Sequence, residues 1–68
     1  MDEFPQRLRH LRERQHKSRK VVSELCGLPP DAIRRYEREE ARPGMEALIA
    51  IADYFQVSID FLVGRTNY

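Results

Sequence analysis

The stretch Arg19-Lys20-Val21-Val22-Ser23-Glu24-Leu25-Cys26-Gly27-Leu28-Pro29-Pro30-Asp31-Ala32-Ile33-Arg34-Arg35-Tyr36 decides the fold. Apolar or small residues stand at Val22, Ser23 and Cys26, and after a glycine at Leu28, Ile33 and Tyr36. Such spacing marks one face of each of two short helices, and Cys26-Gly27-Leu28-Pro29-Pro30 breaks the pattern between them. Gly27 can take the positive φ that a tight interhelical turn needs, and Ser23 is small where the two helices approach. Two helices joined in this way leave the second on the surface, where it can lie in a DNA major groove.

Working outward, Phe4, Leu8 and Leu11 recur at +4 and +3, with Arg7, Arg9, His10, Glu13 and Arg14 on the opposite face. This predicts an amphipathic helix over about 4–15, in which Pro5 is acceptable because it lies in the first turn. Ser18 is placed to cap a second helix over 18–25. A third is expected over 30–37, opened by Pro29-Pro30-Asp31, with Asp31 complementing the helix dipole and Ile33 and Tyr36 turned inward. Pro43-Gly44 breaks the chain again. Met45, Leu48, Ile49, Ile51, Ala52 and Phe55 then form the broad apolar stripe of a fourth helix, 45–55, with Glu46 favourable in its first turn. Ser58 caps a short fifth helix, 59–63, that points Ile59, Leu62 and Val63 inward and stops at Gly64. No strand-like alternation and no repeat occur, so the predicted architecture is all-α, five short helices.

The 68 residues suit one domain, 1–68, with 41% hydrophobic and 34% charged residues, a globular rather than a disordered balance. A chain of this size buries roughly 60% of its unfolded surface, so modest stability is expected. No apolar run approaches the ~20 residues of a membrane span, and Met-Asp-Glu-Phe-Pro lacks the features of a signal peptide. One cysteine cannot form an internal disulfide, and a reducing cytoplasm is the expected compartment. The net charge of +1 hides an asymmetry. Residues 1–42 hold eleven Lys/Arg against eight acids, net +3, whereas 43–68 hold one against three, net −2. One side is therefore suited to a polyanion and the other is not.

Other chemistries find no support. His10 and His16 have no partners at metal-ligand spacing, so no metal site is expected, and no cofactor or small-molecule site is evident. Ser18 and Ser58 read as caps, with no histidine–acid pair to activate either as a nucleophile. Cys26 falls on the inward face of the second helix and reads as core packing. Glu39-Glu40 reads as a solvated loop. No acid/base pair or phosphate loop appears, and no enzyme is expected.

From Phe4 to Gly64 the chain resembles the Cro/phage-repressor (Xre-type) helix–turn–helix family, whose members share the lambda-repressor-like fold. The resemblance rests on an ordered set: Leu8, Leu11-Arg12, Ser18, Val22-Ser23, Gly27, Ile33, Tyr36-Glu37, Pro43, Leu48, Ala52, Val57-Ser58 and Leu62. It implies that the third helix reads double-stranded DNA in the major groove through Pro29, Pro30, Asp31, Arg34, Arg35 and Arg38. It also implies that Arg19 and Lys20 contact phosphate at the start of the second helix, flanked by Lys17 and Arg42. Arg12 and Glu37 would form a partly buried ion pair tying the first helix to the third, which would also present Arg12 toward a phosphate. The region of the fifth helix commonly forms a twofold contact, which would draw on Tyr54, Phe61 and Tyr68 as an exposed patch. The alternative for Phe61 is a cap on the core of a monomer. Val21 and Leu25, also apolar, are expected to broaden the contact between helices two and three.

Departures from the family pattern carry their own expectations. Arg19 stands where a glutamine usually braces the reading helix. Pro29 and Pro30 replace polar residues and offer no side-chain donor and no backbone N–H. Asp31 can accept from cytosine N4, but beside phosphates it needs Arg34 or Arg35 as a partner. Glu39 replaces a helix-ending glycine, and because left-handed backbone costs a non-glycine residue on the order of 1 kcal/mol, a differently built turn is expected. The reading that follows is a sequence-specific DNA-binding regulator, a repressor acting as a homodimer. Two alternatives stay open: an antitoxin-like or regulatory protein-interaction module, and the DNA-binding segment of a longer repressor.

Overall fold

The computed structural model describes residues 3–67, and these form five helices with no strand among them. In chain order they are α1 (Phe4–Arg14), α2 (Arg19–Leu25), α3 (Ala32–Glu37), α4 (Met45–Phe55) and α5 (Ile59–Leu62). Ser18 and Ser58 flank α2 and α5 as the expected caps, accepting the backbone N–H of Val21 at 3.1 Å and of Phe61 at 2.9 Å. Gln15 and Val63, expected inside α1 and α5, lie just beyond their ends.

The larger difference is at α3, which begins at Ala32 rather than Pro30. Pro29 and Pro30 bring no N–H to a helical ladder. They build a turn instead, in which the Pro29 carbonyl accepts from Ala32 N–H at 3.0 Å. The first full helical bond runs from Arg35 N–H to the Asp31 carbonyl at 3.1 Å. Asp31 makes no side-chain cap bond.

One core joins all five helices: Phe4 and Leu8 from α1, Val22 from α2, Ile33 from α3, Leu48, Ile51 and Ala52 from α4, and Leu62 from α5. Two expectations about its breadth are corrected. Val21 (40% exposed) and Leu25 (53%) do not widen the α2–α3 contact. They lie four residues apart on one side of the buried Val22, about 100° and 60° round the helix from it, and form a separate stripe facing away. On α4 the buried stripe is narrower than predicted, because Ile49 (44%) and Met45 (63%) point outward.

Helices end by a shared device. Gly27 (φ 75°) donates to the Glu24 carbonyl at 3.0 Å while Leu28 N–H reaches back to Ser23 at 2.9 Å, a paired closure that needs left-handed backbone. Glu39 does the same with φ 61°: its N–H bonds the Tyr36 carbonyl at 3.2 Å, and Glu40 N–H bonds that of Arg35 at 2.8 Å. The turn expected to be built differently for want of glycine is therefore the ordinary one with glutamate in it.

Three polar ties fix the helices to one another. Ser23, fully buried, donates to the Arg19 carbonyl at 2.9 Å and accepts Ile33 N–H at 3.0 Å, so it fastens the start of α3 to α2. Arg12 grips Glu37 through Nε (2.7 Å) and Nη2 (3.0 Å), binding α1 to the end of α3. Arg7, expected on the solvent face, instead turns to the C-terminal segment. Its Nη1 bonds the carbonyls of Phe61 (3.0 Å) and Thr66 (2.9 Å), and its guanidinium lies 4.5 Å over the Phe61 ring.

Candidate nucleic-acid interface

The periodicity of α3 divides it into two faces. Ala32, Ile33 and Glu37 are buried, and Asp31, Arg34, Arg35 and Arg38 recur at +3, +4 and +7 on the outward side. The buried face is what aims the outward one. Ile33 lies in the core, Ser23 holds its N–H, and Arg12 holds Glu37, so α3 is fixed at both ends over six residues.

Beside this stripe lies the start of α2. Ser18, Arg19, Lys20, Pro30, Asp31 and Arg34 line one shallow, open depression. The structure thus brings together five of the residues implied by the resemblance: Arg19, Lys20, Pro30, Asp31 and Arg34. Arg35 and Arg38 continue along α3. Pro29 is exposed on the turn. Lys17 precedes α2, its carbonyl accepting from Arg12 Nη1 at 2.8 Å. Arg42 stands apart from the depression. It lines a different one, with Phe4, Pro5, Tyr36, Glu39, Ala41 and Pro43.

The charges on this surface are not equivalent. Arg19, Lys20 and Arg35 are exposed and form no ion pair among the described residues. Arg34 lies between two carboxylates, with Nη2 3.9 Å from Asp31 and Nη1 3.8 Å from Glu40. Arg38 is held more closely, its Nε 3.0 Å from the other Glu40 oxygen. These pairs are half-exposed, worth ~0.2–1 kcal/mol each, so a stronger anionic ligand can compete for the arginines. Arg34 rather than Arg35 is the partner of Asp31. Glu40 lies exposed in the loop as expected from the sequence, and it also pairs with Arg34 and Arg38. Neither its pairing nor the Ser23–Ile33 bond shows in the residue spacing, since both depend on turns that reverse the chain.

Arg12 belongs to the scaffold. Nε, Nη1 and Nη2 all donate to protein acceptors, and its side chain is 14% exposed against 2% for Glu37. The hydrogen bonds to Glu37 raise its pKa further, against the opposing effect of burial. Three of its five N–H donors are thereby committed to the scaffold. Tyr54 and Phe61 are each half-buried and engaged within the chain: Tyr54 Oη donates to Gln15 Oε1 at 2.6 Å, and Phe61 lies beneath Arg7. Tyr68, expected beside them, lies outside the described residues. Cys26 packs against the core, and burial pushes its thiol up to about 11, which keeps it protonated and a poor nucleophile at neutral pH. Among the described residues no helix is long and apolar enough to cross a membrane, and no three His, Cys, Asp or Glu gather as metal ligands.

This geometry can be set beside known proteins. Residues 8–62 match the family described as Helix-turn-helix. The uncharacterized HTH-type transcriptional regulator YobD of Bacillus subtilis (strain 168) is 31% identical over 64 residues, covering 94% of this chain and 57% of YobD. The cryptic phage CTXphi transcriptional repressor RstR of Vibrio cholerae serotype O1 is 35% identical over 60 residues, covering 88% of this chain and 54% of RstR. The chain thus spans about half the length of the curated relatives it matches. Among solved structures, the P22 c2 repressor in complex with a synthetic operator superimposes with a TM-score of 0.80 at 29% identity, covering 87% of this chain and 89% of that one. With the order of helices, the buried α1–α3 ion pair and these matches in agreement, the chain belongs to the helix–turn–helix family, of the Cro/phage-repressor (Xre) type, and carries the lambda-repressor-like fold.

Proposed function

We propose that this chain is a sequence-specific DNA-binding regulator that lays α3 in the major groove of a duplex. The observation that carries the reading is one continuous surface. Arg35, with no ion pair among the described residues, lies on the outward stripe of α3, and Arg19 and Lys20 beside the adjoining depression are free in the same sense. Arginine suits both tasks such a surface sets, since its planar fork clamps phosphate or binds guanine O6 and N7. The DNA-contacting set is Lys17, Arg19, Lys20, Pro29, Pro30, Asp31, Arg34, Arg35, Arg38 and Arg42, with the phosphate contacts at the start of α2. That P22 c2 repressor was solved on an operator, and that RstR is named a repressor, supports repression as the mode of action.

In this reading residues 1–68 act as one DNA-binding domain, in the cytoplasm and without catalysis. Repression follows from occupying a site that polymerase needs. Pairing of two copies on a twofold operator places half-sites about 34 Å apart on one face of the duplex. Selection of bound sequences from a pool of random duplexes tests all of this together. The expected result is enrichment of a palindromic site with that spacing. A pool that shows no enrichment and no retained duplex at low salt would overturn the reading.

A further inference from the structure

We propose that Glu40 is a specificity-determining residue of the α3 surface: it holds Arg38, and flanks Arg34, so that these arginines favour guanine edges over phosphate oxygens. The inference deepens the DNA-binding reading and rests on it.

The chain builds this arrangement on purpose-shaped backbone. Glu39 takes left-handed φ where no side chain prefers to be, and the turn it makes returns Glu40 over the last turn of α3. The Glu40 N–H is fastened to the Arg35 carbonyl at 2.8 Å, so its carboxylate starts from a fixed point. From there its two oxygens reach two arginines four residues apart on the outward stripe, Oε2 to Arg38 Nε at 3.0 Å and Oε1 to Arg34 Nη1 at 3.8 Å. Asp31 completes the flanking of Arg34 from the other end at 3.9 Å.

Two consequences follow for a polyanionic ligand. Arg38 meets Glu40 through Nε at 3.0 Å, and its planar fork carries further N–H donors beyond that contact. Guanine O6 and N7 are neutral acceptors, so an arginine can bind them while it keeps its carboxylate. A phosphate is different: it repels Glu40 and competes with it for the same guanidinium. The carboxylate therefore penalises binding to backbone alone, which is the part of the affinity that every sequence shares. Pro29 and Pro30 supply no polar readers ahead of α3, which leaves its arginines as the groups whose choice between base and phosphate matters most.

The test uses Glu40→Gln, which keeps the shape and removes the charge. Its affinity is measured by titration against the best duplex selected by the unaltered protein and against random duplex, at several salt concentrations. Glu40→Gln is expected to bind random duplex on the order of fivefold more tightly, with a salt slope steeper by about one phosphate contact, and to lose specificity ratio by a similar factor. Its thermal midpoint should fall by no more than two half-exposed ion pairs contribute while affinity for random duplex rises, a combination that a merely structural role would not produce. In an Arg38→Ala background the same substitution should change the ratio less, by only the part that Arg34 carries. An unchanged ratio in Glu40→Gln would overturn the proposal, as would an equal change with Arg38 absent. Failure of the unaltered protein to bind any duplex would overturn the DNA-binding reading itself, and the proposal with it.

Discussion

Glu39 shows how a single residue can run against its local preference and still be fixed by what surrounds it. Its φ of 61° is forced by the paired closure of α3, which satisfies the Tyr36 and Arg35 carbonyls. A side chain there strains the backbone, whereas glycine does not. Glu39→Gly is therefore expected to stabilise the fold by about 1 kcal/mol, raising the melting temperature by ~4–8 °C in a thermal unfolding experiment. No rise, or a fall, would mean that the left-handed strain is offset by contacts the Glu39 side chain makes. At this scale the sequence was readable wherever the chemistry is local. Gly27, Ser18 and Ser58 do what their types suggest, since caps and turns involve neighbours three or four residues away. Ser23 was readable only in part: smallness places it at the crossing of α2 and α3, but its bond to Ile33 N–H spans ten residues and depends on the turn between.

Among elements, α3 is the one whose stability depends most on others. Six residues cannot sustain a helix in water by themselves, so its position is set by Ile33 in the core, Ser23 at one end and Arg12–Glu37 at the other. Glu37 is almost wholly buried, and without Arg12 its nearest cation would be Arg9 at 3.6 Å. Arg12→Ala is expected to destabilise the protein by about 3 kcal/mol and lower its melting temperature by more than ~10 °C, since it strands a buried charge. A loss below ~1 kcal/mol would show the pair to be dispensable. The existence of all five helices followed from apolar spacing, but their limits and breadth did not. Spacing alone puts the start of α3 two residues early, because proline suits a first helical turn as well as it suits a tight turn before one. The buried stripes of α2 and α4 are narrower than their apolar residues suggest, because Val21, Leu25, Met45 and Ile49 are apolar without being buried, a choice that only the packing of neighbouring helices makes. Arg7 departs from its expected place for the converse reason: a charged side chain on the polar face of α1 reaches round to clasp the C-terminal segment.

At the scale of the molecule, the central claim is that one face is built to meet a polyanion. The charge asymmetry along the sequence pointed to it, and folding concentrates the effect by seating the start of α2 beside α3. What the sequence could not reveal is that the basic residues divide into free and restrained sets. Arg19, Lys20 and Arg35 stand without ion pairs among the described residues, whereas Arg34 and Arg38 are held by Asp31 and Glu40. The free set should carry affinity for any duplex and the restrained set the choice among duplexes. The measurement that tests this most directly is the salt dependence of binding for the paired variant Arg19→Ala with Arg35→Ala, two exposed positions whose loss leaves the core untouched. The account predicts weaker binding to every duplex, with the salt slope reduced by about two contacts and an unaltered melting temperature. Undiminished binding by the folded double variant, with the slope unchanged, would contradict it.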